Sequence, residues 1–173
     1  MPENKEQIKV ETPDGNAVAH KFEVEPVPQE ISIVEGKELS YLKSLDKAGP
    51  EFIVTYLSNE YEINLKSYDL AFRAWQTSEI KKHSDEMVIE ILGGYLGNKC
   101  VYEFNMQWVI VNDQYGTDYA VRSTVSEVMA FPFSTVMKRI EDKEFDFMYN
   151  VFYTIKQTLE SGDYKIRTDS QSE

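Results

Sequence analysis

The chain has 173 residues, of which 42% are apolar, 13% aromatic and 28% charged, enough apolar material for one hydrophobic core and too much for a disordered chain. Thirty Asp and Glu against eighteen Lys and Arg leave a formal charge of −12, which repels phosphate backbones and anionic lipid headgroups and argues against nucleic-acid or membrane-surface partners. Cys100 is the single cysteine, so an intramolecular disulfide and a cysteine-clustered zinc site are excluded and a reducing compartment is expected. The charged residues Glu3, Lys5, Glu6 and Lys9 interrupt any apolar leader, and no later run reaches the ~18 apolar residues of a membrane span. A cytoplasmic protein is the expectation.

Residues 1–30 contain Pro2, Pro13, Pro26 and Pro28 with seven acids and three lysines, a composition read as an acidic arm. Alternation of Val18, His20, Phe22 and Val24 with Ala19, Lys21 and Glu23 suggests a strand laid along a sheet edge. Residues 31–160 are taken as one domain, and 161–173 as a polar tail. Leu39, Leu42 and Leu45 recur at helical spacing in Lys37–Lys47 before the Gly49-Pro50 break, and Pro50 suits the first turn of a further helix carrying Phe52, Ile53, Tyr56 and Leu57. The run Phe52–Leu57 also fits a strand by propensity; helix is chosen. Ser67 is read as the N-cap of a helix over 68–82 that ends at Lys81-Lys82-His83, where the dipole favours positive charge. Ser84 caps the next helix, with Asp85 and Glu86 in its first turn and Val88, Ile91, Leu92, Tyr95 and Leu96 on its apolar face. Gly93, Gly94 and Gly97 weaken a helix interior by ~1 kcal/mol each, so close approach of another backbone is their expected use.

After Asn105 the period becomes two, with Trp108 and Ile110 on one face and Val109 and Val111 on the other. Asn112–Gly116 turns the chain into a return strand through Tyr119 and Val121, and Glu127–Phe131 supplies a third strand. Pro132 opens a helix carrying Phe133, Val136, Met137 and Ile140, and Phe147, Met148, Val151, Phe152, Ile155 and Leu159 mark a last one. The pattern is α+β: about five helices packed around a small three-stranded antiparallel meander.

The chemistry-bearing residues are sparse. His20 and His83 stand in the arm and at a helix junction without surrounding motifs, and Cys100 falls in the later part of a helix, where no dipole activates a thiol. Phosphate-loop, zinc-protease, nucleophile-elbow and EF-hand patterns are missing from the sequence. The Gly93-Gly94-x-x-Gly97 run lies inside a helix, whose backbone N–H groups are already bonded, so helix packing is favoured over phosphate binding. Trp75 and Trp108 are read as core residues. Among the carboxylates, Glu60 with Glu62, Asp85 with Glu86, and Glu141, Asp142, Glu144 and Asp146 occupy linkers and helix ends, where capping and solubility explain them. Asp113, with Tyr115 and Asp118 on a protruding hairpin, is the best single functional candidate, although turn formation also accounts for Asp113 and Gly116.

The segments Tyr68-Asp69-Leu70, Leu92-Gly93-Gly94-Tyr95-Leu96-Gly97, Gln107–Gly116, Ala120-Val121-Arg122, Phe131-Pro132 and Lys138-Arg139-Ile140-Glu141, in that order, resemble the bacterial domain of unknown function 3806 across roughly residues 46–160. The resemblance implies a small bacterial α+β domain and implies no reaction, cofactor or catalytic residue. Arg122 and Arg139 also match, and each is expected to pair with a carboxylate.

The functional expectation is an acidic, non-enzymatic protein-binding domain, more narrowly an immunity or antitoxin-like protein that neutralises a basic toxin by electrostatically accelerated capture. Its expected contacts are Asp113, Tyr115 and Asp118, or Glu60 and Glu62; no catalytic residue, metal ligand or cofactor is assigned. Two rivals stand beside it: a metal-dependent or acid–base enzyme using Asp113, Asp118 and Glu62, and a module that self-associates through an apolar patch or its sheet edge.

Overall fold

The computed structural model describes residues 6–12, 15–21 and 28–162, with side chains described from residue 28 onward. The arm strand exists in part: β2 (Gly15–Lys21) pairs antiparallel with β1 (Glu6–Thr12) as a separate two-stranded ladder instead of lining the main sheet, and Phe22–Val24 lie outside the described residues. The edge position is taken by β3 (Glu30–Ile33). Strands β4 (Met106–Asp113), β5 (Gly116–Ser123) and β6 (Met129–Ala130) complete a four-stranded antiparallel sheet in the order β3-β4-β5-β6. The expected meander is therefore present, with one strand added where Ile31 faces Val111. Nothing local announces that pairing, because some eighty residues separate the two strands.

Six α-helices are described: α1 (Gly36–Ser44), α2 (Gly49–Tyr56), α3 (Leu65–Thr77), α4 (Asp85–Phe104), α5 (Pro132–Asp142) and α6 (Met148–Ser161). A 3-10 turn over Leu45–Ala48 links α1 to α2. Pro50 and Pro132 occupy the first turns of α2 and α5, where a missing N–H costs nothing. The class is α+β.

The start of α3 departs from the sequence reading. Asn64 is the N-cap, its side-chain oxygen accepting the Ser67 N–H at 3.0 Å, and Ser67 is three residues inside the helix. Both residue types cap helices, and the cap position takes the one whose carboxamide reaches the free N–H. The helix also ends earlier, at Thr77. The Trp75 indole N–H donates to the His83 carbonyl at 3.0 Å, while the Tyr56 hydroxyl accepts from the Lys82 and His83 N–H groups. These bonds hold 78–83 as a folded-back connection, so Lys81, Lys82 and His83 do not complement a helix C-terminus. Ser84 caps α4 as expected, accepting the Met87 N–H at 3.3 Å, and Asn105 ends the helix in the left-handed region at φ 52°.

α4 is buried on more than the single face read from its periodicity; Gly93, Gly94, Gly97, Asn98 and Cys100 are inside as well. The three glycines explain this. A Cβ on Gly93 would lie 2.5 Å from the Phe133 ring, one on Gly94 2.3 Å from the Leu45 Cβ, and one on Gly97 2.2 Å from the Trp108 ring. Close approach is therefore their role, made mostly by side chains arriving from several directions; at Gly93 the Phe133 backbone also comes near.

The sheet packs the Trp108, Ile110, Tyr119 and Val121 face against the helices. A smaller apolar cluster of Val109, Val111 and Ala120, joined by Ile31, Met129 and Phe131, occupies the opposite face. Trp75 and Trp108 are core residues, at 0% and 1% exposure. Trp108 donates its indole N–H to the Asn98 side-chain oxygen at 2.9 Å, and Asn98 donates to the Leu42 carbonyl at 3.0 Å. That buried relay ties β4, α4 and α1 with every polar group satisfied. No helix among the described residues is long and apolar enough to cross a membrane.

Candidate functional site

The β4–β5 hairpin builds one side of a cleft from local rules. Asp113 pairs with Gly116 across a two-residue connection, and Gly116 takes φ +132°, open to glycine and strained for other residues. The Asp113 Oδ1 accepts the Tyr115 N–H at 2.8 Å, and the Thr117 hydroxyl donates to Asn112 at 3.1 Å. One Asp113 oxygen is thus engaged in the turn, with hydrogen-bonding capacity left on the carboxylate. Tyr115 is 83% exposed at the tip.

Beneath the tip, the helix opened by Pro132 lies across β5, forming an open cleft of about 480 Å³. Val111, Phe131 and Phe133 provide apolar lining, Asp113 and Asp118 the charge, and Tyr115 the lip. Ser134 donates its hydroxyl to Asp118, fixing the carboxylate on the α5 side. The expected hairpin trio is brought together. The sequence reading missed its other wall, Ile89, Phe133, Ser134 and Met137; the Pro132 helix start was the available signal for Ser134.

The remaining sequence candidates lie elsewhere. Glu60 and Glu62 are on the exposed loop between α2 and α3 and do not line the cleft, and the Glu60 N–H turns onto the Ser58 hydroxyl at 3.3 Å. Among the described residues no three His, Cys, Asp or Glu side chains stand together as a metal site would require, so Glu62 does not join Asp113 and Asp118 in the triplet considered above. Arg139 pairs with Glu144, and Asp146 with Arg73 on α3, so two of the four acids in the 141–146 run are held in ion pairs. Arg122, expected to pair as well, forms no ion pair among the described residues. At the start of α4, Glu86 is held below the usual carboxylate range by its own backbone N–H and by the Ser84 hydroxyl.

His83 is half-buried, its Nδ1 3.2 Å from the Tyr56 hydroxyl and its ring edge-on to Phe52 at 5.4 Å. It serves the α2–α4 junction, its ring also lying against Tyr56 with centroids 5.6 Å apart. Cys100 is fully buried and burial pushes its thiol up to about 12, the condition of an inert core residue.

Asp69 is the strongest polar feature that the sequence did not single out for a role. At 5% exposure it accepts the Met148 and Tyr149 N–H groups at 2.8 and 3.2 Å, capping α6 from α3. Burial raises its pKa, and the same two N–H groups oppose the rise. The residue is a structural clamp across 79 positions of sequence.

Residues 68–150, from α3 into α6, match a family model described as Domain of unknown function (DUF3806). The match lies within the span expected from the quoted motifs and includes Asp69, the glycine helix and the whole hairpin cleft. No curated protein and no solved structure matches the chain.

Proposed function

We propose that this chain is an acidic, non-enzymatic protein-binding domain that captures a basic partner at the hairpin cleft. The observation that carries the reading is the cleft itself: Asp113 and Asp118 flank an apolar floor, and no Lys, Arg or His is among the residues that line it. A cationic side chain entering there meets two carboxylates and leaves its aliphatic stem against the partly exposed Phe131 and Phe133. The net charge of −12 adds long-range attraction that accelerates encounter and weakens as salt shortens the Debye length, about 10 Å at 0.1 M.

Within this reading, the partner is a basic bacterial toxin and the chain is its cytoplasmic immunity or antitoxin-like inhibitor. Affinity purification with the native chain as bait, beside Asp113→Lys/Asp118→Lys, tests the binding. A basic protein retained by the native chain, lost with the double variant and released by high salt supports it; recovery of no basic protein contradicts it. If the captured protein arrests growth and the native chain relieves the arrest, the narrower inhibitor role stands. If it is not toxic, only the binding role stands.

A further inference from the structure

The hairpin cleft is one half of a longer feature. A second cleft of about 300 Å³ opens between α1, α4 and β5, lined mainly by Tyr41, Leu42, Leu45 and Tyr119. The two clefts share Ile89 and Phe133 and so adjoin over one apolar ridge. Glu86 and Glu90, exposed on α4 one turn apart, flank the second cleft as Asp113 and Asp118 flank the first. Every charged residue lining the combined groove is acidic. Three other clefts on the described surface differ, with Lys99, Lys156 or Lys66 in their walls.

Two tyrosines shape the second cleft through carboxylates. The Tyr41 hydroxyl donates to Glu90 at 3.1 Å, and the Tyr119 hydroxyl donates to Glu38. Tyr41 remains 49% exposed beside this apolar wall. Tyr41 and the half-buried Leu45, Ile89, Tyr119 and Phe133 thus present apolar surface fringed by carboxylates.

We infer that the combined groove receives a cationic amphipathic segment of the protein partner, with apolar side chains on the Leu45–Ile89–Phe133 ridge and Lys or Arg side chains on Glu86 and Glu90 at one end and on Asp113 and Asp118 at the other. This inference rests on the binding role proposed above and narrows its ligand: positive charge alone does not fill the groove, and apolar groups alone leave four carboxylates without a counter-charge. Charge complementarity selects the occupant. A second copy of this acidic chain places like charges against the rim, and an anionic lipid surface does the same.

Calorimetry on the full chain with two synthetic peptides of equal length tests it, one with Lys and Leu at helical spacing and one of Lys alone. The mixed peptide is expected to bind at least tenfold more tightly. Glu86→Lys/Glu90→Lys is expected to remove at least tenfold of that affinity, and Tyr41→Ala severalfold. Glu51→Lys/Glu79→Lys, the same charge change at exposed positions outside the groove, is expected to change affinity by less than a factor of about three. Thermal melts identify any variant that fails to fold, and Tyr41→Ala and the α4 pair sample different elements. Equal affinity for both peptides, or equal loss from the two charge-reversed pairs, overturns the groove while leaving the acidic binding role in place. Absence of binding by either peptide overturns both.

Discussion

The α3–α6 side of the molecule and the hairpin–α1 side use the same residue types in opposite ways. On the first side, buried Asp69 on α3 accepts two backbone N–H groups at the start of α6 and has no free face toward solvent. On the second side, Asp113, Glu86 and Glu90 keep exposure to solvent with one or two hydrogen-bond partners each, and partly exposed apolar residues, Tyr41, Ile89 and Phe133, lie beside them. Polar groups that hold a fold are buried and consumed. Carboxylates that retain accessible lone pairs next to apolar surface keep the capacity to bind.

Four perturbations sharpen that contrast, beginning with the largest. Gly97→Val forces side-chain atoms into the Trp108 ring and is expected to cost about 3 kcal/mol, the upper end for an overpacked core; denaturant unfolding reads it, and a loss below ~1 kcal/mol contradicts the close packing. Asp69→Ala strips the cap from α6 and leaves two N–H groups without their acceptor, for about 2 kcal/mol. Hydrogen exchange is expected to localise that loss to the first turn of α6. On the groove side, Asp113→Asn keeps the turn oxygen and changes stability by less than ~0.5 kcal/mol. It is nevertheless expected to slow association with the Lys-containing peptides by about threefold at low salt, measured by stopped flow.

The smallest effect concerns Tyr119. Its hydrogen bond to Glu38, with lesser help from burial, raises its ionisation to about 12, above the ordinary 10 of an unfolded tyrosine. The folded pKa is the higher one, so the associated stability is fully present below pH 10 and is lost as pH rises through 12. Ultraviolet titration of tyrosinate is expected to show Glu38→Gln returning one residue toward 10. An unchanged profile removes the Tyr119–Glu38 contact from the groove wall.

Local chemistry explains which parts of the structure could be read from sequence. Ser84 before Asp85 and Glu86, the switch to period two after Asn105, the Asn112–Gly116 turn and Pro132 each act within a few residues, and each marks an element where it stands. The start of α3 was harder, because Asn64 and Ser67 are both capping residue types and only the three-dimensional reach of one side chain decides between them. β3 could not be placed at all, since its partner lies about eighty residues away. The candidate site divides in the same manner: Asp113, Tyr115 and Asp118 come from one hairpin, while the Tyr41–Glu90 and Tyr119–Glu38 contacts span 49 and 81 positions. A single sequence carries no local signal for such pairs.

The central claim is that the acidic, partly apolar face is the docking surface and the α3–α6 side is scaffold. Backbone amide chemical-shift mapping during titration with the Lys/Leu peptide tests this most directly. Perturbations are expected to cluster at Tyr41, Glu86–Glu90, Tyr115–Tyr119 and Phe133–Met137, and to fade as salt is added. Shifts scattered over the surface, or centred on α3 and α6, would contradict the claim.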